Sequence, residues 1–397
     1  MTKSISKFNS LIVTVLFCHF ISSFTILGMP LFFPKIMADF LSSEQQMYIG
    51  WFYVLPTICS VISSPLWGRF ADKYGKRLSL MRAQIGLMTG FIIAGLAPNL
   101  WVFSLGLIIQ GTCGGTFAAS NAYLASQVSS SELAKTLNLT QFSARLSLLV
   151  APILLGVLIN IEQPLTLYCY LAFLPFWAAI AISRLPAKEK QYEKTLKKAE
   201  QKGQQQGFQL SFNQLLLVKF LFSFSVVVSF PYFYPYMQSL GTTNDTLIGW
   251  YFSLPHLVYL VVIAINNNWQ KHYSATHLCI IGLSALLIAA LCQYQTTSAS
   301  FVFIWRLLMG IGICLTFIGL HQGITVLKTE KTGLMFGRLD SVSKLAGVIA
   351  GLCSGLAIQN LNIQSPFLIS SLTCAFALLL FVIVQVKQPH EANKHVS

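Results

Sequence analysis

Stretches of about twenty mostly apolar residues, separated by short polar breaks, recur from one end of this chain to the other. That length is what a helix needs to cross ~30 Å of hydrocarbon, where a helix satisfies its own backbone hydrogen bonds without water. The pattern predicts twelve helices, over 9–33, 47–67, 79–97, 101–126, 138–160, 164–184, 212–236, 246–266, 277–295, 300–326, 337–359 and 364–386. The first apolar segment, Leu11 to Phe33, is longer than a signal-peptide core and lacks a small-residue cleavage site, so it is expected to be a retained helix in a chain whose mature form starts at Met1.

Between Arg184 and Gln209 the apolar pattern gives way to a run rich in Lys, Glu and Gln, too polar to bury and too long for a tight turn. It predicts a linker over 185–210 between an N-terminal bundle, 1–184, and a C-terminal bundle, 211–397. The two flanks repeat each other. Ile49-Gly50-Trp51-Phe52-Tyr53-Val54-Leu55-Pro56 returns as Ile248-Gly249-Trp250-Tyr251-Phe252-Ser253-Leu254-Pro255, 199 residues later. The same displacement carries Gly111 onto Gly310, Arg145 onto Lys344, Ala151 onto Ala350, Gly156 onto Gly355 and Asn160 onto Gln359. The expected fold is therefore an all-α membrane protein of twelve transmembrane helices in two pseudo-symmetric six-helix bundles, with a ligand site between the halves near the bilayer midplane.

Composition agrees with this: 55% of the 397 residues are hydrophobic, 10% are charged, and the mean hydropathy is +0.66. The net charge of +14 would suggest nucleic acid in a soluble protein. Here the cations follow the predicted breaks. With the N-terminus in the cytoplasm, Lys3, Lys7, Arg69, Lys73, Lys76, Arg77, Arg82, the run from Arg184 to Lys202, Lys271, Lys328, Lys331, Arg338, Lys387 and Lys394 all fall inside, and Lys35 alone falls outside. This is the positive-inside pattern for an even number of spans with both termini cytoplasmic, and it makes a nucleic-acid role unnecessary. The nine cysteines are scattered singly through apolar spans without metal spacing, so no metal or cofactor is expected. No phosphate-binding loop, zinc-protease or nucleophile-elbow motif is present, which points away from an enzyme and toward an ion or solute gradient as the energy source.

The most specific local feature joins the second and third predicted helices: Gly68-Arg69-Phe70-Ala71-Asp72-Lys73-Tyr74-Gly75-Lys76-Arg77. This loop resembles the signature of the major facilitator superfamily, G-x-x-x-D-[RK]-x-G-[RK]-[RK], at every defined position, and with Arg82 beyond it the stretch is most similar to the drug:proton antiporter branch. The resemblance implies a transporter working by alternating access. In that family the loop is a latch that closes the cytoplasmic side, which would set Asp72 against the start of helix 11, near Gly337 and Arg338. Two other motifs depart from the family. Its R-x-x-Q-G reads Leu107-Ile108-Ile109-Gln110-Gly111, so the arginine is missing here while its pseudo-equivalent, Arg306, is present. Its antiporter motif in helix 5 survives unaltered only at Pro152 and Gly156.

Ionisable residues inside spans are costly and are functional candidates by default. Here they are His19, Arg145, Lys219, His256, Arg306, His321 and Lys344, joined by Gln110 as a polar candidate; no carboxylate lies deep in a span, and Asp340 comes nearest, one turn before Lys344. Arg145 and Lys344 are pseudo-symmetric mates. This balance favours an anionic ligand, because guanidinium and ammonium groups hold carboxylate or phosphate well. Each residue also has a plainer role: Lys219 snorkelling, Arg145 bracing its helix, the histidines as packed core groups. The expected function is proton-linked export of an amphipathic, anionic small molecule of the siderophore or secondary-metabolite type, by a monomer in a bacterial inner membrane. The alternatives are a cationic multidrug pump, an importer of an organic anion or metal chelate, and, from another class, a non-transporting membrane sensor.

Overall fold

The computed structural model describes residues 2–188, 211–265, 273–326 and 332–387. Most of the predicted linker, 189–210, and Lys271 lie outside the described residues. Within them the chain forms helices and turns, with no strand. In chain order the main helices are α1 Thr2–Gly28, α2 Ile49–Tyr74, α3 Lys76–Gly95, α4 Leu100–Cys113, α5 Thr116–Ala125, α6 Ser130–Leu158 and α7 Leu167–Ser183. They continue with α8 Phe212–Val227, α9 Phe233–Ser239, α10 Asp245–Ile265, α11 Ala275–Gln295, α12 Ala299–Val326, α13 Thr332–Asn360 and α14 Ser365–Lys387. Eleven helical stretches among the described residues are long and apolar enough to cross a membrane, and α8 is a shorter apolar helix.

Two predicted spans are interrupted. The fourth is divided into α4 and α5 at Gly114–Gly115, where Gly115 takes φ +79°, a left-handed conformation that glycine adopts without penalty. The seventh is divided into α8 and α9, with Pro231 in the intervening turn unable to donate the amide that a continuous helix would need.

The chain separates into two compact units: Met1–Gln46, Phe52–Glu200 and Asn244–Gly249 form the first, and Met47–Trp51, Gln201–Thr243 and Trp250–Ser397 the second. In the first unit α1, α3, α5 and α7 meet around Val15, Cys18, Leu80, Tyr123, Leu124 and Ile182. In the second, α8, α11, α12 and α14 meet around Leu215, Val218, Cys279, Leu283, Ile313 and Phe381. Spans of equal rank in the two repeats thus build equivalent cores.

Lipid tails are as apolar as leucine, so burial from water does not hold such helices together; close packing and interhelical hydrogen bonds do. Gly90 on α3 lies against the backbone of Gly106 and Gln110 on α4, and Gly282 on α11 lies against Gly312 and Thr316 on α12. Polar side chains pair across helices in the same way: Gln84 Nε2 donates to Ser22 Oγ at 2.8 Å, Ser143 Oγ to the Leu16 carbonyl at 3.0 Å, and Ser370 Oγ to the Ser225 carbonyl at 2.6 Å. The outward faces are apolar, with Phe17, Ile62, Leu66, Trp101, Phe173 and Leu372 exposed, as lipid-facing residues must be.

A side chain at Gly90 would run into backbone on α4, whereas one at Gly68 would meet nothing within 4 Å. Gly90→Val should therefore destabilise the purified protein by about 1–3 kcal/mol, the usual cost of overpacking. Gly68→Ala should not, and thermal unfolding followed by size-exclusion chromatography compares the two; equal melting would contradict this packing.

Candidate functional site

The signature loop joins α2 to α3. Gly75 makes the turn at φ +96°, a value that favours glycine, and its amide bonds the Ala71 carbonyl at 2.9 Å. Arg77 fastens the loop to the end of α7, donating from Nη1 to the carbonyls of Ser183 (3.2 Å) and Leu185 (2.9 Å). Asp72 and Lys73 are exposed, with Lys73 Nζ 5.2 Å from the centre of the Tyr74 ring, and Lys76 is half-buried. The tight turn leaves the acidic and basic side chains at the surface of the first unit.

Arg306 has a different environment from the one its position in a span suggested. It is fully buried, and its Nε donates to the Tyr251 carbonyl at 3.0 Å while Nη2 donates to the Phe252 carbonyl at 2.6 Å. Tyr251 stands four residues before Pro255, and proline has no amide to return to that carbonyl. Arg306 thus closes the gap that Pro255 opens in α10. The rings of Phe233 and Phe252, at 4.5 and 5.5 Å, flank the cation.

A second cationic cluster lies in the same unit on α8 and α12. Lys219, half-buried, places Nζ 5.4 Å from the ring centre of Phe222 and 5.6 Å from that of Phe317, both within cation–π range. His321 lies against Phe317, ring centres 4.1 Å apart, and Tyr259 meets Phe317 from its other contacts at 5.8 Å. Nδ1 of His321 is 3.1 Å from the Phe317 carbonyl, which only accepts, so Nδ1 carries the proton and Nε2 keeps its lone pair in the neutral ring. Ser223 and Ser343 are in hydrogen-bond contact at 3.3 Å. The cluster therefore offers cation, ring face and hydroxyl, the elements that hold an amphipathic anion.

The remaining predicted residues separate. Arg145 is half-buried on α6 in the first unit. Lys344, in the second, forms an ion pair with Asp340 one turn earlier on α13 at 2.7 Å, and both are exposed. His19 is buried on α1 against Phe117, ring centres 5.0 Å apart, and His256 is buried on α10 beside Phe252. Gln110 packs against α3, donating to the Gly90 carbonyl at 3.4 Å. Pro152 and Gly156 sit where the first residues of α10 cross α6: Gly249 approaches the Pro152 carbonyl, and Gly156 approaches the backbone of Asp245 and Thr246. Of the span aromatics, Tyr232, Phe233 and Tyr234 are buried while the repeat mates Trp51 and Trp250 are exposed.

Two features were not anticipated from the sequence. Lys35, the lone outer cation, is bonded to Asp245 at 2.5 Å and to the Asn160 side chain at 2.7 Å, within the first unit. Arg82 lies on the ring of Trp67, 3.6 Å from its centre, and both reach the end of α4: Trp67 Nε1 donates to the Thr112 carbonyl, and Arg82 Nη1 to the carbonyls of Cys113 and Gly114. The Gly-Gly pair at 114–115 is the sequence sign of this break. Among the described residues no group of three His, Cys, Asp or Glu could hold a metal ion, and all nine cysteines are free.

Comparison with known proteins places this geometry. A family model for the Major Facilitator Superfamily matches residues 15–243 and 215–397. The chain is 35% identical over 86 residues to a multidrug resistance protein, MdtG, of Citrobacter koseri, an alignment covering 22% of this chain and 21% of that protein. It is 28% identical over 159 residues to MdtG of Yersinia enterocolitica, covering 39% and 38%. The chain thus spans about a fifth to two-fifths of the length of these relatives. Among solved structures it resembles the xylose transporter XylE of E. coli in a partially occluded inward-open conformation, with a TM-score of 0.72 at 12% identity over 94% of this chain and 97% of that one. It also resembles the human organic anion transporter MFSD10, with a TM-score of 0.64 at 15% identity over 95% and 99%.

If Arg306 serves the proline gap, replacing it should cost stability and replacing the proline should return part of it. Arg306→Leu leaves the half-buried Tyr251 carbonyl without a donor, at about 1–3 kcal/mol. Pro255→Ala restores the amide that Tyr251 lacks, so the double variant should melt closer to wild type than Arg306→Leu does. Additive losses in this double-mutant cycle would show that the two positions act separately.

Proposed function

Because this chain belongs to the Major Facilitator Superfamily, and is accordingly a multi-pass membrane transporter rather than an enzyme, we propose that it exports an amphipathic organic anion across a bacterial inner membrane in exchange for protons, by alternating access. The observation that carries the anion is the charge of the spans. Lys219 and Arg145 are half-buried within spans, while among the described residues the carboxylates stand at span ends or in loops. Ionisable residues inside spans are functional candidates by default, and an excess of cations over carboxylates there favours a ligand of negative sign. The ring faces of Phe317 and Tyr259 beside Lys219 suit a solute that carries an apolar or aromatic part as well as its charge.

Export is supported by the relatives named multidrug resistance proteins and by the close packing of α10 on Pro152 and Gly156, the positions that survive from the antiporter motif. Energy from protons is supported by the resemblance of the loop from Gly68 to Arg77 to that of the drug:proton antiporter branch. A cationic-drug pump is the second reading, favoured by Asp340, an exposed carboxylate at the start of a span; its pairing with Lys344 opposes that reading by neutralising it.

Affinity in the purified protein distinguishes the two. An organic polyanion such as citrate coupled to an aryl group should bind, and a lipophilic phosphonium cation should not. A charge-assisted hydrogen bond is worth roughly 1.5–3 kcal/mol, so Lys219→Gln, Arg145→Gln or Lys344→Gln should each weaken the polyanion about ten- to a hundredfold where the ligand touches that side chain. Tight binding of the cation, none of the polyanion, and no change in any of the three variants would replace this reading with the cationic one.

The loop from Gly68 to Arg77 generates a separate expectation. As a latch, Asp72 acts on the conformational cycle and not on the ligand, so Asp72→Asn should abolish most flux in proteoliposomes while leaving insertion and ligand affinity near wild type. Normal flux in that variant would remove the latch from the mechanism.

A further inference from the structure

The interruption of the fourth span leaves more than a kink. On its carbonyl side the ends of α4 are satisfied: Thr112 accepts from Trp67, and Cys113 and Gly114 accept from Arg82. On its amide side α5 begins inside the span at Thr116 with no side-chain cap. The first amides of any helix lack intrahelical partners and together carry about half a positive charge.

Four further observations converge on that terminus. Thr116, the first residue of α5, is fully buried, and its Oγ1 has no hydrogen-bond partner. Its Cβ tilts toward the helix N-terminus, as in every α-helix, which carries the hydroxyl to the break. His19 on α1 is 3% exposed, its Nδ1 also lacks a partner, and its ring packs on Phe117, the second residue of α5. Arg82, 3.1 Å from the Gly114 carbonyl, has a buried Nε without a partner and no carboxylate partner among the described residues. Finally, a Cβ placed on Gly115 would meet nothing within 4 Å, so there is open space beside these donors.

A full cation, an uncapped helix N-terminus and two unpartnered buried side chains around free space are unfavourable together unless something negative joins them. We propose that the α4–α5 break is a binding site for a carboxylate, held by the first amides of α5, Thr116 Oγ1, His19 Nδ1–H and the Arg82 guanidinium. It lies in the first unit, apart from the Lys219 cluster of the second, and it stands whatever solute the protein carries.

The stacking of Trp67 on Arg82 supplies a reporter. Purified full-length protein in detergent is titrated with sodium acetate and sodium benzoate at constant ionic strength, and tryptophan fluorescence is read. A saturable change should appear, and it should vanish in Trp67→Phe while calorimetry still detects binding. Thr116→Val, which keeps the shape of the side chain, and His19→Phe should each raise the apparent Kd about fivefold or more. Arg82→Gln should abolish binding; because it also uncaps α4, folding is checked by circular dichroism and the judgement rests on the two milder variants. No saturable response in folded wild type would overturn the proposal. So would an equal response to chloride, or a Kd within twofold of wild type in both Thr116→Val and His19→Phe. Transport of an organic anion with no carboxylate binding here would reject this site and leave the proposed function standing, and carboxylate binding without such transport would do the reverse.

Discussion

In hydrocarbon there is no water to take up a stray backbone hydrogen bond, and that one constraint explains the least obvious side chains of this protein. A carbonyl or amide left unpaired there costs several kcal/mol, so each departure from a regular helix must be matched by a donor or acceptor from elsewhere in the fold. Pro255 frees the Tyr251 carbonyl, and Arg306 comes from another helix to meet it. Gly114 and Gly115 stop α4, and Trp67 and Arg82 close its end. The Tyr232 hydroxyl, within the turn that interrupts the seventh span, accepts from the Gly50 amide at 3.0 Å and donates to the Met47 carbonyl at 2.6 Å. Arg306, buried, and Arg82, half-buried, are in this sense backbone partners first. A guanidinium suits the task because its donors form a fixed fork that reaches two carbonyls at once.

The same constraint decides what could be read from the sequence. The spans were legible because each must be apolar along a whole crossing, and the repeat was legible because eight residues, from Ile49 to Pro56, returned at a fixed displacement. The turn at Gly75 was legible because the loop repeats a known pattern with glycine at the one residue whose φ needs it. Interruptions inside spans were not. A hydropathy window averages about nineteen residues, so a break of two glycines at 114–115, or a proline at 231, leaves the average apolar while it changes the backbone. Contacts between distant positions were equally hidden: Lys35 and Asp245 are 210 residues apart, and nothing in either neighbourhood signals the other.

Arg306 shows why the rule that an intramembrane charge marks function is incomplete. Its repeat position in the first half is Leu107, which is buried, so Pro56, the proline that repeats Pro255, has leucine where Pro255 has Arg306. The cation therefore answers a local need of α10. Lys219 differs, because its neighbours are ring faces with which an ammonium interacts through its field. A ligand can share a field, but it cannot use donors already given to carbonyls. On that distinction Lys219 is a better centre for an anion than Arg306.

Charge also limits how protons can be coupled. A proton added at Nε2 of His321 strengthens the positive field at the Lys219 cluster, so proton and anion would favour each other's binding, and ligands with that coupling sign tend to move together. A proton on His19 would act in the same sense on an anion at the α4–α5 break. Exchange needs the opposite sign, with protonation and anion occupancy disfavouring each other. For an exchanger the coupling proton therefore belongs on a group removed from both cationic clusters. None of the three span histidines meets that condition outright, because the third, His256, is buried beside Phe252, whose ring and carbonyl are already met by the Arg306 cation; a proton that opposes anion binding must therefore act through the conformational cycle and not through the field at either cluster.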